Sequence, residues 1–82
     1  MIHAVELWDA IEQCLKGGRW LPLVEIYRRV EATVRLDPDD FLPSAPGGTE
    51  PKWRRNVRNV LQRQKGLGKV LWNGRAAYRL PP

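Results

Sequence analysis

Near the end of the chain, Asn73-Gly74 separates two short apolar-rich runs, Lys69-Val70-Leu71-Trp72 and Arg75-Ala76-Ala77-Tyr78-Arg79-Leu80. Asn-Gly between such runs is the strongest short-range hairpin signal a sequence carries. What precedes it reads as helical. Val5, Leu7, Trp8, Ile11, Cys14 and Leu15 recur at helical spacing until Gly17-Gly18 stops them, which predicts a first helix over 3–16. Arg19-Trp20-Leu21 is long enough only for a bridge strand. Pro22 suits a helical first turn, and Leu23, Ile26, Tyr27 and Val30 continue the period over 22–33.

Residues 34–51 form the long connection. Asp37-Pro38-Asp39-Asp40 begins with a capping residue and a Pro suited to the first helical position, so a short helical turn through Phe41 is expected. Capping explains these carboxylates better than a metal does. Thr49 is expected to cap a third helix, with Pro51 in its first turn and Gly66 and Gly68 ending it after about Lys65.

The predicted order is helix, short strand, helix, linker, helix, hairpin. That is an α+β winged helix-turn-helix over residues 1–80, with three helices, a bridge strand and a β-hairpin wing. Pro81-Pro82 reads as the start of a linker. Four Trp, two Tyr and one Phe in 82 residues supply enough apolar area for one small core. Trp8, Trp20 and Trp53 are expected inside it.

Charge divides along the same boundary. From Pro51 onward there is no acid, and nine bases: Lys52, Arg54, Arg55, Arg58, Arg63, Lys65, Lys69, Arg75 and Arg79. The first 50 residues hold nine acids against five bases, a net −4. A folded segment of one sign marks a surface that faces a polyanion. At about 100° per residue, Trp53, Val57, Val60 and Leu61 form the buried stripe of the third helix. Arg55, Arg58, Asn59 and Gln62 fall opposite, with Arg54 and Arg63 on the flanks. Bidentate Arg reads guanine, and Asn or Gln reads adenine, in the major groove.

A two-residue turn at Asn73-Gly74 pairs Trp72 with Arg75, Leu71 with Ala76, Val70 with Ala77 and Lys69 with Tyr78. Paired residues share a face, so Leu71, Ala76, Tyr78 and Leu80 face the core, with Lys69 snorkelling beside them. Trp72 then faces outward between Arg75 and Arg79, suited to contact with a nucleic acid. A one-residue slip buries it instead.

Other chemistry has little to work with. The single Cys14 forms no internal disulfide and reads as a small core residue; with one His it makes no zinc site. No nucleophile, base and orienting group can be assembled, so an enzyme, a metal and a cofactor are not expected. Glu6, Asp9 and Glu12 break any N-terminal apolar run, and no stretch approaches a membrane span. Reducing cytoplasm is the compatible compartment.

Phe41-Leu42-Pro43-Ser44, a Gly-bearing loop, Trp53-Arg54-Arg55-Asn56-Val57-Arg58 and a closing Ala77-Tyr78-Arg79-Leu80 resemble the winged-helix modules of modification-dependent restriction endonucleases. The likeness is to the N-terminal domain of Mrr-type enzymes and covers residues 20–80. It extends to winged helices of the DpnI type that bind N6-methyladenine. The resemblance implies double-stranded DNA bearing methylated adenine as partner, and fusion to a separate nuclease domain. Carried onto this chain, it implies contact through Arg55, Asn56, Arg58 and Asn59, with Trp53 or Trp72 against the methyl group. Together with the wheel and the hairpin, the expected DNA-binding set is Arg54, Arg55, Asn56, Arg58, Asn59, Gln62, Lys69, Trp72, Arg75 and Arg79. A generic or sequence-specific DNA binder and a protein-interaction winged helix stand as the alternatives.

Overall fold

Three stretches that place apolar residues every three or four positions become helices, and the short runs between and after them become strands. The computed structural model describes residues 2–82. The order is α1 (Ala4–Leu15), β1 (Leu21–Pro22), α2 (Leu23–Thr33), a 3-10 turn at Pro38–Phe41, α3 (Lys52–Gly66), β2 (Leu71–Trp72) and β3 (Ala77–Arg79). The result is a small α+β domain with three helices and one three-stranded antiparallel sheet, in the order β1-β3-β2. Leu7, Ile11 and Leu15 of α1, Ile26, Tyr27 and Val30 of α2, and Trp53, Val57, Val60 and Leu61 of α3 meet in one core. Val70 and Tyr78 close it from the hairpin side.

The C-terminus of α3 is fixed by a Schellman motif. Lys69 N–H reaches back to Gln64 O at 2.9 Å and Gly68 N–H to Lys65 O at 3.0 Å. Gly68 stands at φ +75°, the left-handed conformation this cap needs. The N-terminus differs from expectation. Pro51 is the capping residue, in extended backbone, with no side-chain cap. Thr49 does not cap α3, because residues 42–52 are occupied by a ladder of their own. Ser44 N–H donates to Glu50 O and Lys52 N–H to Leu42 O, both at 2.9 Å, around a Pro43–Pro51 bridge. This ladder closes residues 43–51 into a loop that stands beside the first turn of α3.

The hairpin register also differs. β2 and β3 pair Leu71 with Arg79 and Trp72 with Tyr78, three residues away from the two-residue-turn alignment. A type I′ turn needs positive φ at both central residues, and among the described residues no non-glycine has one. Asn73 instead spends its side chain on the turn. Its Oδ1 accepts from the N–H groups of Arg75, Ala76 and Ala77 at 2.8, 3.1 and 3.2 Å. An odd shift exchanges faces. Trp72 turns inward, half-buried, with its ring centroid 4.7 Å from that of Tyr78. Val70 and Ala77 are buried, while Leu71 and Lys69 are exposed. β1 adds to the other side of β3 through Leu21–Tyr78 and Pro22–Ala77, so β3 is the central strand. Trp20, expected in the core, is 43% exposed at that edge, with the Arg79 guanidinium 5.4 Å from its ring centroid.

Asp40 is fully buried and ties the long connection to the N-terminus. Its Oδ1 accepts from Ile2 N–H at 3.1 Å and its Oδ2 from Asp37 N–H at 2.8 Å. Removing the acceptor strands the buried Ile2 N–H and frees the part-buried Asp37 N–H. Asp40→Ala is therefore expected to lower unfolding free energy by about 2–3 kcal/mol, and Asp40→Asn by less. Urea unfolding checks this; a loss below about 0.5 kcal/mol, the size of an ordinary surface change, would contradict it.

Candidate nucleic-acid interface

The core stripe of α3 fixes which of its side chains face water. Trp53, Val57, Val60 and Leu61 point inward, leaving Arg54, Arg55, Asn59, Gln62, Arg63 and Lys65 exposed. Asn56 and Arg58 are half-buried on opposite flanks. The buried stripe follows from the 3.6-residue period alone. How the cations are spent does not.

Arg58, expected on the outward face, is committed to the fold. Its guanidinium forms a bidentate pair with Glu50, Nη2 donating to Oε1 at 2.8 Å and Nη1 to Oε2. Nη1 also donates to the Tyr27 hydroxyl at 3.3 Å. The hydrogen bond to Glu50, then that to Tyr27, pushes the arginine still further above its usual range. Arg58 holds Glu50 below the usual carboxylate value, with Arg54 and Arg55 adding a weaker pull. Arg58 is thus a clamp between α2, α3 and the 43–51 loop rather than a free reader of bases. Sequence periodicity could not see this, because Glu50 lies outside the helix and meets Arg58 only once the loop closes.

Trp53 is corrected more firmly. It is 1% exposed, packed edge-on against Tyr27 at 5.8 Å between ring centroids, and cannot touch a ligand. Arg54 lies over both rings, at 5.2 and 5.4 Å from their centroids. Trp72 keeps only part of its surface. Lys52 sits 3.5 Å from Asp39. Arg55 makes only a long contact to Ser44 O at 3.5 Å. Among the described residues, Arg55, Arg63, Lys65, Lys69 and Arg75 have no carboxylate partner.

In the first half of the chain, Arg28 and Arg29 are paired within α2. Glu25 accepts from Arg28 at 2.9 and 2.5 Å and from Arg29 at 3.0 Å. Those bonds hold its carboxyl at about 2. Cys14 lies close by; burial pushes its thiol up, with Arg29 offsetting part of the rise. That is the reverse of what activates a nucleophilic cysteine. Among the described residues, no three His, Cys, Asp or Glu side chains are grouped as a metal would require. No helix of these residues is long and apolar enough to cross a membrane.

The exposed α3 face is bordered at its N-terminal end by the 43–51 loop, a segment the sequence identifies only as linker. A cavity of about 210 Å³ opens between that loop and the helix, lined by Ser44, Lys52, Arg55, Asn56 and Asn59. Comparison of the chain with protein-family models, curated proteins and solved structures finds no match.

The Glu50–Arg58 pair gives a pH signature. A carboxyl depressed in the folded state stabilises the fold above its unfolded value of about 4.3, and the contribution disappears as pH falls through the folded value. Glu50→Gln should therefore be less stable than the parent near neutrality. Urea midpoints of the two proteins are expected to converge as pH falls below about 4. A gap that stays constant over that range would show that the pair does not link α3 to the loop.

Proposed function

We propose that the domain is a winged helix-turn-helix that binds double-stranded DNA, with α3 as the recognition helix and the β2–β3 hairpin as the wing. The helix–strand–helix–helix–hairpin order, with β1 edging the hairpin, supports the fold assignment. One observation carries the function: the exposed face of α3 and the hairpin present cations and amides, and the two acids that meet α3, Glu50 and Asp39, are already paired with Arg58 and Lys52. Gln62 and Asn59 offer carboxamides of the kind that pair with adenine edges. Arg54, Arg63, Lys65, Lys69 and Arg75 supply the charge that phosphates require.

The narrower reading is the specificity module of a modification-dependent endonuclease, recognising N6-methyladenine and fused to a nuclease in the cytoplasm. It rests on the family resemblance. With Trp53 in the core, the partly exposed edge of Trp72 is the aromatic surface left for an N6-methyl group. The discriminating variant is Arg55→Glu with Arg63→Glu, since both side chains are exposed and neither has a carboxylate partner.

About five phosphate contacts give a slope near −4.5 in log affinity against log salt. Titration of fluorescent duplexes over a salt series is expected to show that slope, and the double charge reversal to abolish binding. An affinity insensitive to salt and to the reversal would remove the DNA reading. Duplexes matched in sequence, with and without N6-methyladenine, test the narrower form: equal affinities across several sequences reject it and leave generic binding.

A further inference from the structure

We propose that the cavity between the 43–51 loop and α3 is an oxyanion site that takes one phosphate group. On the loop side the cavity is lined by Ser44. Ser44 N–H to Glu50 O, Lys52 N–H to Leu42 O and the Pro43–Pro51 bridge fix that part of the loop beside the helix. Gly48 N–H to Ala45 O, at 3.0 Å, closes its tip, with Gly47 at φ +73°. The opposite wall is the first two turns of α3, which contribute Lys52, Arg55, Asn56 and Asn59 to the lining.

The chemistry of the lining favours an anion. Lys52 and Arg55 are donors only, and Asn56 and Asn59 each bring an NH2 group. No carboxylate lines the cavity. Asp39 approaches Lys52 from outside at 3.5 Å, a half-exposed pair that a phosphate can outbid. Arg55 has one nitrogen near Ser44 O, at a distance too long to hold it, and its remaining N–H groups are unspent.

Shape agrees with charge. A water occupies about 30 Å³, so a cavity of about 210 Å³ admits a tetrahedral anion with its ester arms outside. A base edge is planar and is read by an exposed, fairly flat helix face. A recess with two cations and two amides suits a group that accepts from several directions. The assignment therefore moves Arg55 from base edge to backbone phosphate and leaves direct reading to Gln62 and the outer side of Asn59. Such a contact fixes register without carrying sequence information.

For a phosphate within DNA the proposal rests on the function proposed above, whereas for free phosphate it does not. The test uses both sources on the full chain. Inorganic phosphate is titrated against 15N-labelled protein, reading the side-chain NH2 resonances of Asn56 and Asn59. Saturable shifts are expected, and Lys52→Ala with Arg55→Ala should remove them while Lys16→Ala, on an exposed position outside the cavity, leaves them unchanged. Absent shifts, or equal shifts in the double variant, overturn the site.

In the second arm, duplexes of several sequences are titrated against Arg55→Ala. Loss of one charge-assisted contact should weaken every duplex by about tenfold and reduce the salt slope by about one. Loss confined to one base position makes Arg55 a base reader and overturns the assignment. If duplexes bind the parent and Arg55→Ala alike, the site falls and the DNA reading stands. If inorganic phosphate binds at Asn56 and Asn59 but no duplex does, the site stands and the DNA reading falls.

Discussion

The burial of one face of α3 is the constraint on which the remaining structure depends. Trp53, Val57, Val60 and Leu61 are all buried in the core, and they meet residues from α1, α2 and the hairpin. Trp53 is the largest of the fully buried side chains, and truncating a residue of that kind costs roughly 3–5 kcal/mol. Because the stripe admits one rotation of the helix, it also decides which polar residues meet water. Arg55, Asn59 and Gln62 are exposed because Trp53 and Val57 are not. The face proposed to bind DNA follows from packing on the other side of the same helix.

Two polar devices then set the approach to that helix. Asp40, buried, takes the N–H groups of Ile2 and Asp37 and so fixes the turn at Pro38–Phe41. The Pro43–Pro51 ladder carries the chain from that turn to the first residue of α3. Arg58 closes the arrangement by reaching Glu50 at the end of the ladder and Tyr27 on α2. A buried carboxylate whose oxygens are occupied by backbone donors is tolerable in a core; an unpaired one is not. These contacts explain why an 18-residue connection (34–51), long for so small a domain, still presents a defined loop beside the helix.

The elements were legible in the sequence because their signals are local. A 3.6-residue period over Trp53–Leu61 identifies both the helix and its buried side, and Gly66 and Gly68 mark its end. The hairpin was legible as an element but not in register. Asn73 serves a type I′ turn through its backbone or a wider turn through its side chain, and the same dipeptide signals both. Which one forms depends on β1, since Leu21 and Pro22 draw Tyr78 and Ala77 into the middle of the sheet. That contact spans more than fifty residues and leaves no local trace. Trp72 went with the register. Arg58 was misread for a related reason: its partners, Glu50 and Tyr27, become neighbours only after the loop and α2 are in place.

The distribution of charge on α3 has a cost that packing does not explain. Lys52 and Arg55, Arg55 and Arg58, and Arg54 and Arg58 stand three or four residues apart, each a like-charge pair that destabilises a helix by about 0.2–0.5 kcal/mol. Its first turn carries no acid and its N-terminus no side-chain cap, although a carboxylate there is ordinarily favourable. The fold relieves only part of this, through Glu50 on Arg58 and Asp39 on Lys52. The relief lies at the edges and leaves Arg55 and Arg63 open. In α2 the opposite solution appears: Glu25, one turn away, pairs with both Arg28 and Arg29, and Glu31 brings the helix to net zero. A helix that keeps its repulsion, beside one of similar length that cancels it, is the arrangement expected when the compensating negative charge arrives with a ligand. The cavity beside Lys52 and Arg55 is the place on this surface where that compensation would be greatest.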